Sequence, residues 1–229
     1  MLESALKHTI DTFGMDAQLH YRWQRKRVVI LVSRLPHCLY DLLLRNQAGE
    51  LECEVVGVVS NHADLAFVAQ QFGIPFHHLP METERLGKEA AKLAQEEAME
   101  ALIQSERVDL IILARYMQVL SHGFCERHWR HMINIHHSFL PAFEGAKPYH
   151  RAYERGVKII GATAHYATAE LDCGPIIQQD VDRISHRDSV ATMLRKGKDL
   201  ERIVLAKAVT AHLTNRVIVR NNKTVVFDE

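Results

Sequence analysis

The stretch from Met132 to Tyr149, MINIHHSFLPAFEGAKPY, concentrates residues whose types and spacing could do chemistry. It opens as a short apolar strand, Met132, Ile133 and Ile135, interrupted by Asn134, and delivers His136 and His137 at its end. Residues two apart in a strand share a face. Asn134 and His136 therefore project together, and His137 faces the other way. An amide and an imidazole on one face can both donate to a developing oxyanion. The same pair can also do no more than tie down the following loop, which carries Pro141, Gly145 and Pro148. Open α/β sheets place their sites at the carboxyl ends of strands. Downstream, KIIGATAHYAT (158–168) reads as a long strand rich in β-branched and aromatic residues. Residues 169–175, AELDCGP, are a turn by their Gly-Pro pair, and PIIQQDVDR (175–183) resumes a strand. Asp172 thus sits on a tight loop with His165 on the strand before it. Taken singly, Asp172 is as compatible with a turn aspartate bonding its own backbone as with a catalytic carboxylate.

Taken together, NIHHSFLPAFEGAKPYH and GATAHYATAELDCGPIIQQDV resemble the folate-dependent formyltransferase family, nearest its deformylating branch. Further blocks match in order: VVGVVSNHADL, FGIPFHHLP, LARYMQVLS and the terminal NKTVVF, over about residues 27–227. The resemblance implies a catalytic trio of Asn134, His136 and Asp172. It implies a folate pocket lined by Met117, Gln118, Val119 and Leu120 and by Thr168, Ala169, Glu170 and Leu171, with His165 beside them. It also implies hydrolysis of 10-formyltetrahydrofolate to formate and tetrahydrofolate, serving one-carbon and purine metabolism. Folate is then the substrate, and no bound cofactor is expected. Two alternatives stay open: formyl transfer to a small amine, and a folate-binding regulatory protein without turnover.

The elements that must position these residues can be read along the chain. At 229 residues it is long enough for one large α/β domain. Lys plus Arg and Asp plus Glu both number 28, so there is no basic excess for a nucleic-acid surface. No apolar run approaches the ~20 residues of a membrane span, and MLESALKHTIDTFGMD lacks the n- and h-regions of a secretory signal. Cys38, Cys53, Cys125 and Cys173 form no CxxC pair, which points to a reducing cytoplasm.

Val28–Ser33 is a continuous apolar run, typical of a strand buried on both faces. A helix from Pro36 to Gln47 follows, then a strand over 53–60, a helix over 64–72 and a short strand over 75–79. A long helix is expected over 84–106, a strand over 108–114 and a helix over 121–128. One or two helices span 188–215, with Gly197 as a break, and a hairpin closes across Asn221-Asn222-Lys223. The alternation predicts a doubly wound, mostly parallel sheet with helices on both faces. Residues 1–26 are set apart. A helix (Leu2, Leu6, Ile10, Phe13), a strand over 17–23 and the linker QRKR resemble the last elements of the ACT-type domain that deformylating members carry. Such a remnant cannot bury a core alone. It is expected to pack on another subunit or on the body (residues 27–229) in a homo-oligomer.

The loop after the first strand, SRLPHCL, has no glycine, and Pro36 removes a donor, so it offers no phosphate cradle. Ribonucleotide-binding members of the family have a Gly-rich loop here, and water therefore remains as acceptor. Fifteen histidines invite a metal reading, with His136, His165 and Asp172 as a set, but no close ligand spacing such as HExxH occurs. The expectation is no metal. Ser138 lacks a GxSxG elbow, and nothing marks Cys173 as activated. Arg115 and Tyr116 end a strand and either line the cleft or pair with a sheet-edge carboxylate.

Overall fold

The computed structural model describes residues 2–15, 17, 19–21, 23–140 and 148–228. Seven strands form one sheet: β1 (Lys26–Val32), β2 (Cys53–Ser60), β3 (Phe76–His78), β4 (Leu110–Leu113), β5 (Met132–His136), β6 (Ile159–Tyr166) and β7 (Ile176–Arg183). Their order is β3-β2-β1-β4-β5-β6-β7. The pairs from β3 through β5 are parallel, while β5–β6 and β6–β7 are antiparallel. The expected doubly wound, mostly parallel sheet is therefore present.

Strand β1 shows why the sheet is buried on both faces. Val28, Ile30 and Val32 enter one core with residues of helices α2 (His37–Gln47) and α8 (Val190–Leu213). Val29 and Leu31 enter the other, with Met99 and Ile103 of α5 (Lys88–Ser105) and Phe124 of α6 (His122–Arg127). Each such side chain contributes about 1.5–3 kcal/mol by leaving water. A small hairpin, β8 (Val217–Arg220) and β9 (Lys223–Val226), follows α8. No helix among the described residues is long and apolar enough to cross a membrane.

Several local expectations are corrected. Helix α1 (Leu2–Phe13) is present, but residues 17, 19–21 and 23 form no strand. A lone extended segment has no ladder partner for its backbone groups, and Tyr21 and Trp23 stack on each other instead, ring centroids 5.3 Å apart. The helix expected over 84–106 is divided into α4 (Thr83–Leu86) and α5 by Gly87, whose φ of 78° no right-handed helix accommodates. The helix expected over 64–72 starts as a 3₁₀ turn, Ala63–Leu65, before α3 (Ala66–Gln71). Gly197 does not break α8, which is continuous through it. Pro148 belongs to no loop: it opens α7 (Pro148–Arg155), where its fixed φ suits a first helical residue. Pro141 and Gly145 lie outside the described residues.

Behind the sheet, Tyr166 Oη and His212 Nδ1 lie 2.8 Å apart, and Lys26 Nζ donates to the His212 carbonyl at 2.9 Å. Burial, then the Lys26 and His131 charges, push the His212 imidazole down to about 3. Its folded value lies below the ordinary ~6.5. The unfolded chain thus binds the proton first, and the stability present above pH 6.5 is lost as the pH falls toward 3. Denaturant titrations should show unfolding free energy declining from pH 6.5 to 4. His212→Gln, which keeps an acceptor for Tyr166, should flatten that decline.

Candidate functional site

Strand register builds the first half of the site. Asn134 on β5 pairs directly with His165 on antiparallel β6, so both side chains leave the same face. Asn134 Nδ2 lies 3.2 Å from His165 Nε2, and His165 Nδ1 lies 2.9 Å from the Tyr166 carbonyl oxygen. A carbonyl only accepts, so Nδ1 carries the hydrogen and neutral Nε2 accepts from the Asn134 amide. One amide hydrogen is thereby engaged, and Asn134 also lines the cleft over this face.

The second half arrives from the opposite end of the sheet. Ala167 N donates to the Met132 carbonyl at 2.8 Å, beside the amino end of β5. From there the loop climbs back across the sheet face until Asp172 reaches His136 Nδ1 at 3.0 Å and His165 Nε2 at 3.6 Å. Two backbone features allow this. Asp172 takes φ 57°, a left-handed conformation that Asp tolerates. Gly174 passes so close to β6 that a Cβ there would lie 1.7 Å from the Tyr166 carbonyl oxygen. The site thus spreads over the face of β5 and β6. The sequence alone suggests the carboxyl edge of β5, because a loop's return path is a tertiary feature that strand order does not encode.

Electrostatics follow the geometry. Burial alone would raise Asp172, but the hydrogen bond from His136, with the His165 ring close by, outweighs it and holds the carboxyl well below the usual range. Asp172 is therefore an anion. His136, almost completely buried, spends its Nδ1 on that anion, and its buried Nε2 has no hydrogen-bond partner among the described residues. His137 follows the last residue of β5, and its ring packs on that of His136, centroids 5.1 Å apart, so the two do not simply diverge as strand alternation predicts. Burial, then the charges of Arg115 and His136, push His137 down to about 4, so it is neutral at pH 7.

A cleft over this face is lined by Gln118, Val119, Leu120, His165, Thr168, Ala169, Leu171, Asn134 and Asp172, together with Leu113, Tyr116, Cys125 and Ala167. Of the residues expected to bind substrate, Met117 and Glu170 stand outside this lining. The Met117 side chain is exposed and its N–H donates to Ser33 Oγ at 2.9 Å, while the Glu170 carbonyl accepts from Thr168 Oγ1 at 2.8 Å.

Sequence reading missed the residues that hold the cleft loop. Tyr116 Oη donates to Gln95 Oε1 at 3.0 Å, and Gln95 Nε2 donates to the Leu79 carbonyl. Buried Glu96 accepts from Ser121 N at 2.6 Å and from its hydroxyl, fixing the residue that caps α6. The available signal is spacing: Gln95 falls four residues from both Ala91 and Met99, on the helix's buried stripe. Also unanticipated is a cluster at the carboxyl ends of β1 and β4. Buried Glu201 meets His37 Nε2 at 2.7 Å and Arg115 Nε at 3.4 Å. Of the two readings of Arg115, pairing with a carboxylate is the one the structure displays. His37, Cys38 and Glu201 are the one donor group among the described residues that converges like metal ligands, within 4.8 Å. Arg115 already supplies the positive charge there, and burial holds the Cys38 thiol protonated, well above its ordinary value.

The family model "Formyl transferase" matches residues 26–209. The chain is 56% identical over 226 residues to a formyltetrahydrofolate deformylase of Synechocystis sp., covering 99% of this chain and 77% of that protein. It superposes with TM-score 0.92 on the crystal structure of a formyltetrahydrofolate deformylase from Pseudomonas syringae pv. tomato, at 48% identity over 99% of this chain and 74% of the other. A glycinamide ribonucleotide transformylase from Symbiobacterium toebii is similar at TM-score 0.81 and 26% identity, covering 94% and 99%.

Removing the Asp172 charge should weaken the fold in a pH-dependent way. Its folded value is depressed, so the stability it contributes is present above the unfolded ~3.9 and lost as pH falls through the lower folded value. Urea titrations should show a constant gap between wild type and Asp172→Asn from pH 5 to 8 that narrows below pH 4.

Proposed function

The chain belongs to the formyl transferase family, and from that membership and the site's geometry we infer hydrolysis of 10-formyltetrahydrofolate to formate and tetrahydrofolate. The carrying observation is that Asp172, an anion, reaches both His136 and His165, the latter paired with Asn134, on the face of β5 and β6, where His136 Nε2 has no partner among the described residues.

In the proposed mechanism, water attacks the formyl carbon and the carbonyl π pair moves onto oxygen. The Asn134 amide and His136 Nε2–H donate to that oxyanion, the kind of preorganised stabilisation that dominates acyl transfer. Asp172 orients the water and takes its proton as the new C–O bond forms. A carboxyl held so low is a weak base, so the proton passes on to N10 as the C–N bond breaks. Formate and tetrahydrofolate leave for one-carbon and purine metabolism. No step calls for a bound cofactor.

The choice of water is supported at the carboxyl edge. In an open sheet, ligands enter where strand order reverses, here between β1 and β4. His37, Arg115 and Glu201 fill that crevice with the protein's own ion pairs, so a second substrate has no cradle there. The buried thiols Cys38, Cys53 and Cys125, none of them in a disulfide, fit a reducing cytoplasm.

Purified protein should release formate from 10-formyltetrahydrofolate without an added acceptor and should not formylate glycinamide ribonucleotide. Asp172→Asn should lower kcat by about 10²–10⁴, and Asn134→Ala by about 10²–10³. Folate affinity should be nearly unchanged, because neither substitution alters the apolar cleft lining. A near wild-type rate in Asp172→Asn would end this mechanism.

The N-terminal segment we read as packing on a second copy of the chain in a homo-oligomer. Phe13 and Trp23 are 74% and 75% exposed in the isolated chain, an apolar surface that association would cover. Light scattering after size exclusion should report an oligomer, and Phe13→Asp should shift it toward smaller species.

A further inference from the structure

Glu201 lies on α8, on the face of the sheet opposite Asp172, and is 2% exposed. Its carboxylate contacts three separate elements: His37 Nε2 ahead of the α2 body at 2.7 Å, Arg115 Nε after β4 at 3.4 Å, and Tyr149 Oη in the first turn of α7 at 3.4 Å. Burial alone would raise it, but the His37 hydrogen bond and the Arg115 charge hold it below the ordinary glutamate range. A buried ion pair is a poor source of stability compared with apolar packing. Its presence on the buried stripe of α8 calls for another role.

Gly197 supplies a second, independent observation. It sits one turn before Glu201, mid-helix, where alanine would be the better helix former. A Cβ there would lie 1.9 Å from Tyr149 Oη and 2.4 Å from Tyr149 Cζ. Gly197 and Glu201 thus make a socket, one providing room for the Tyr149 ring and the other an acceptor for its hydroxyl. The Tyr149 ring packs on His137 (centroids 6.2 Å apart), the His137 ring packs on His136 (5.1 Å), and His136 Nδ1 reaches Asp172 at 3.0 Å.

We propose that Glu201 is a positioning residue for the hydrolysis: it seats Tyr149 over Gly197, and the seated ring sets the orientation of His137 and, through it, of the oxyanion donor His136. Glu201 also fixes Arg115, whose left-handed turn (φ 64°) leads into the cleft residues beginning at Tyr116. The kinetic part of this inference rests on the hydrolase reading; the structural part does not.

Glu201→Gln keeps the side-chain volume and removes the charge; Gly197→Ala obstructs the socket. Lys198→Ala, on the exposed side of α8, serves as control. Three readouts are compared: circular dichroism and melting, the imidazole Cε1–H NMR signals of His136 and His137, and kcat and KM for formate release. Both socket variants should fold and shift both histidine signals. Each should lower kcat roughly 10–100-fold, the scale of an ångström-size misplacement, with KM within about threefold. Lys198→Ala should do none of this. Histidine signals that stay in place in folded Glu201→Gln overturn the proposal, as does a raised KM with kcat intact. If Gly197→Ala does not fold, Glu201→Gln decides alone. If the wild type releases no formate, the reaction is misassigned, and the NMR comparison still decides whether the socket orients His136.

Discussion

The antiparallel pairing of β5 with β6 is the constraint from which the site follows. It sets Asn134 opposite His165 and His136 opposite Thr163. A slip of one residue would send Asn134 and His136 to the other face. It also sends β6 back toward the amino end of β5, so the following loop must return over the sheet face to deliver Asp172. Buried Thr163 joins the same alignment: its hydroxyl donates to the Ser138 carbonyl at 2.9 Å and accepts from Leu140 N at 3.2 Å, holding the chain that leaves His136. A parallel sixth strand would place neither His165 nor Asp172 within reach.

Charge is distributed across the sheet by the same logic. Each face holds a carboxylate ionised by its partners, Asp172 on one and Glu201 on the other. Between them lie two adjacent imidazoles, which are poor neighbours if both are cationic. Burial and the Arg115 charge keep His137 neutral, with a value near 4. His136, by contrast, is bonded through Nδ1 to the Asp172 carboxylate. The paired histidines thus meet different partners although adjacent in sequence, Asp172 for His136 and the Tyr149 ring for His137.

Much of this was legible in the sequence, and the reasons are local. The runs VVILV and LIIL mark doubly buried strands through composition alone, and the two-residue spacing of Asn134 and His136 gives their common face. Residues whose meaning depends on distant chain were not legible. Glu201 and Gln95 look like ordinary helix residues until the helix is docked. Gly197 reads as a breaker until Tyr149, 48 positions earlier by number, is seen against it. The strand expected over 17–23 had suitable residues but no partner edge. Asp172 shows the limit in one residue: its turn was readable from Gly174-Pro175, but the loop's path across the sheet was not.

The docking of α8 bears on why the reaction ends with water. The usual crevice of a doubly wound sheet is held by an ion-pair cluster that a phosphate-bearing substrate would have to displace. Removing one partner of a buried pair leaves the other uncompensated, at a cost of about 3–5 kcal/mol. A ligand entering there would face that cost before gaining any contact, and SRLPHCL offers it no glycine and fewer free N–H groups in return. The cleft on the other face has different chemistry. Its walls mix apolar residues such as Leu113, Val119, Leu120 and Leu171 with polar ones, among them Gln118, Thr168, Asn134, His165 and Asp172. On the proposed reading, that suits a flat substrate carrying one reactive carbonyl. On that reading, acceptor choice belongs to one face of the sheet and the chemistry to the other, with β5 common to both.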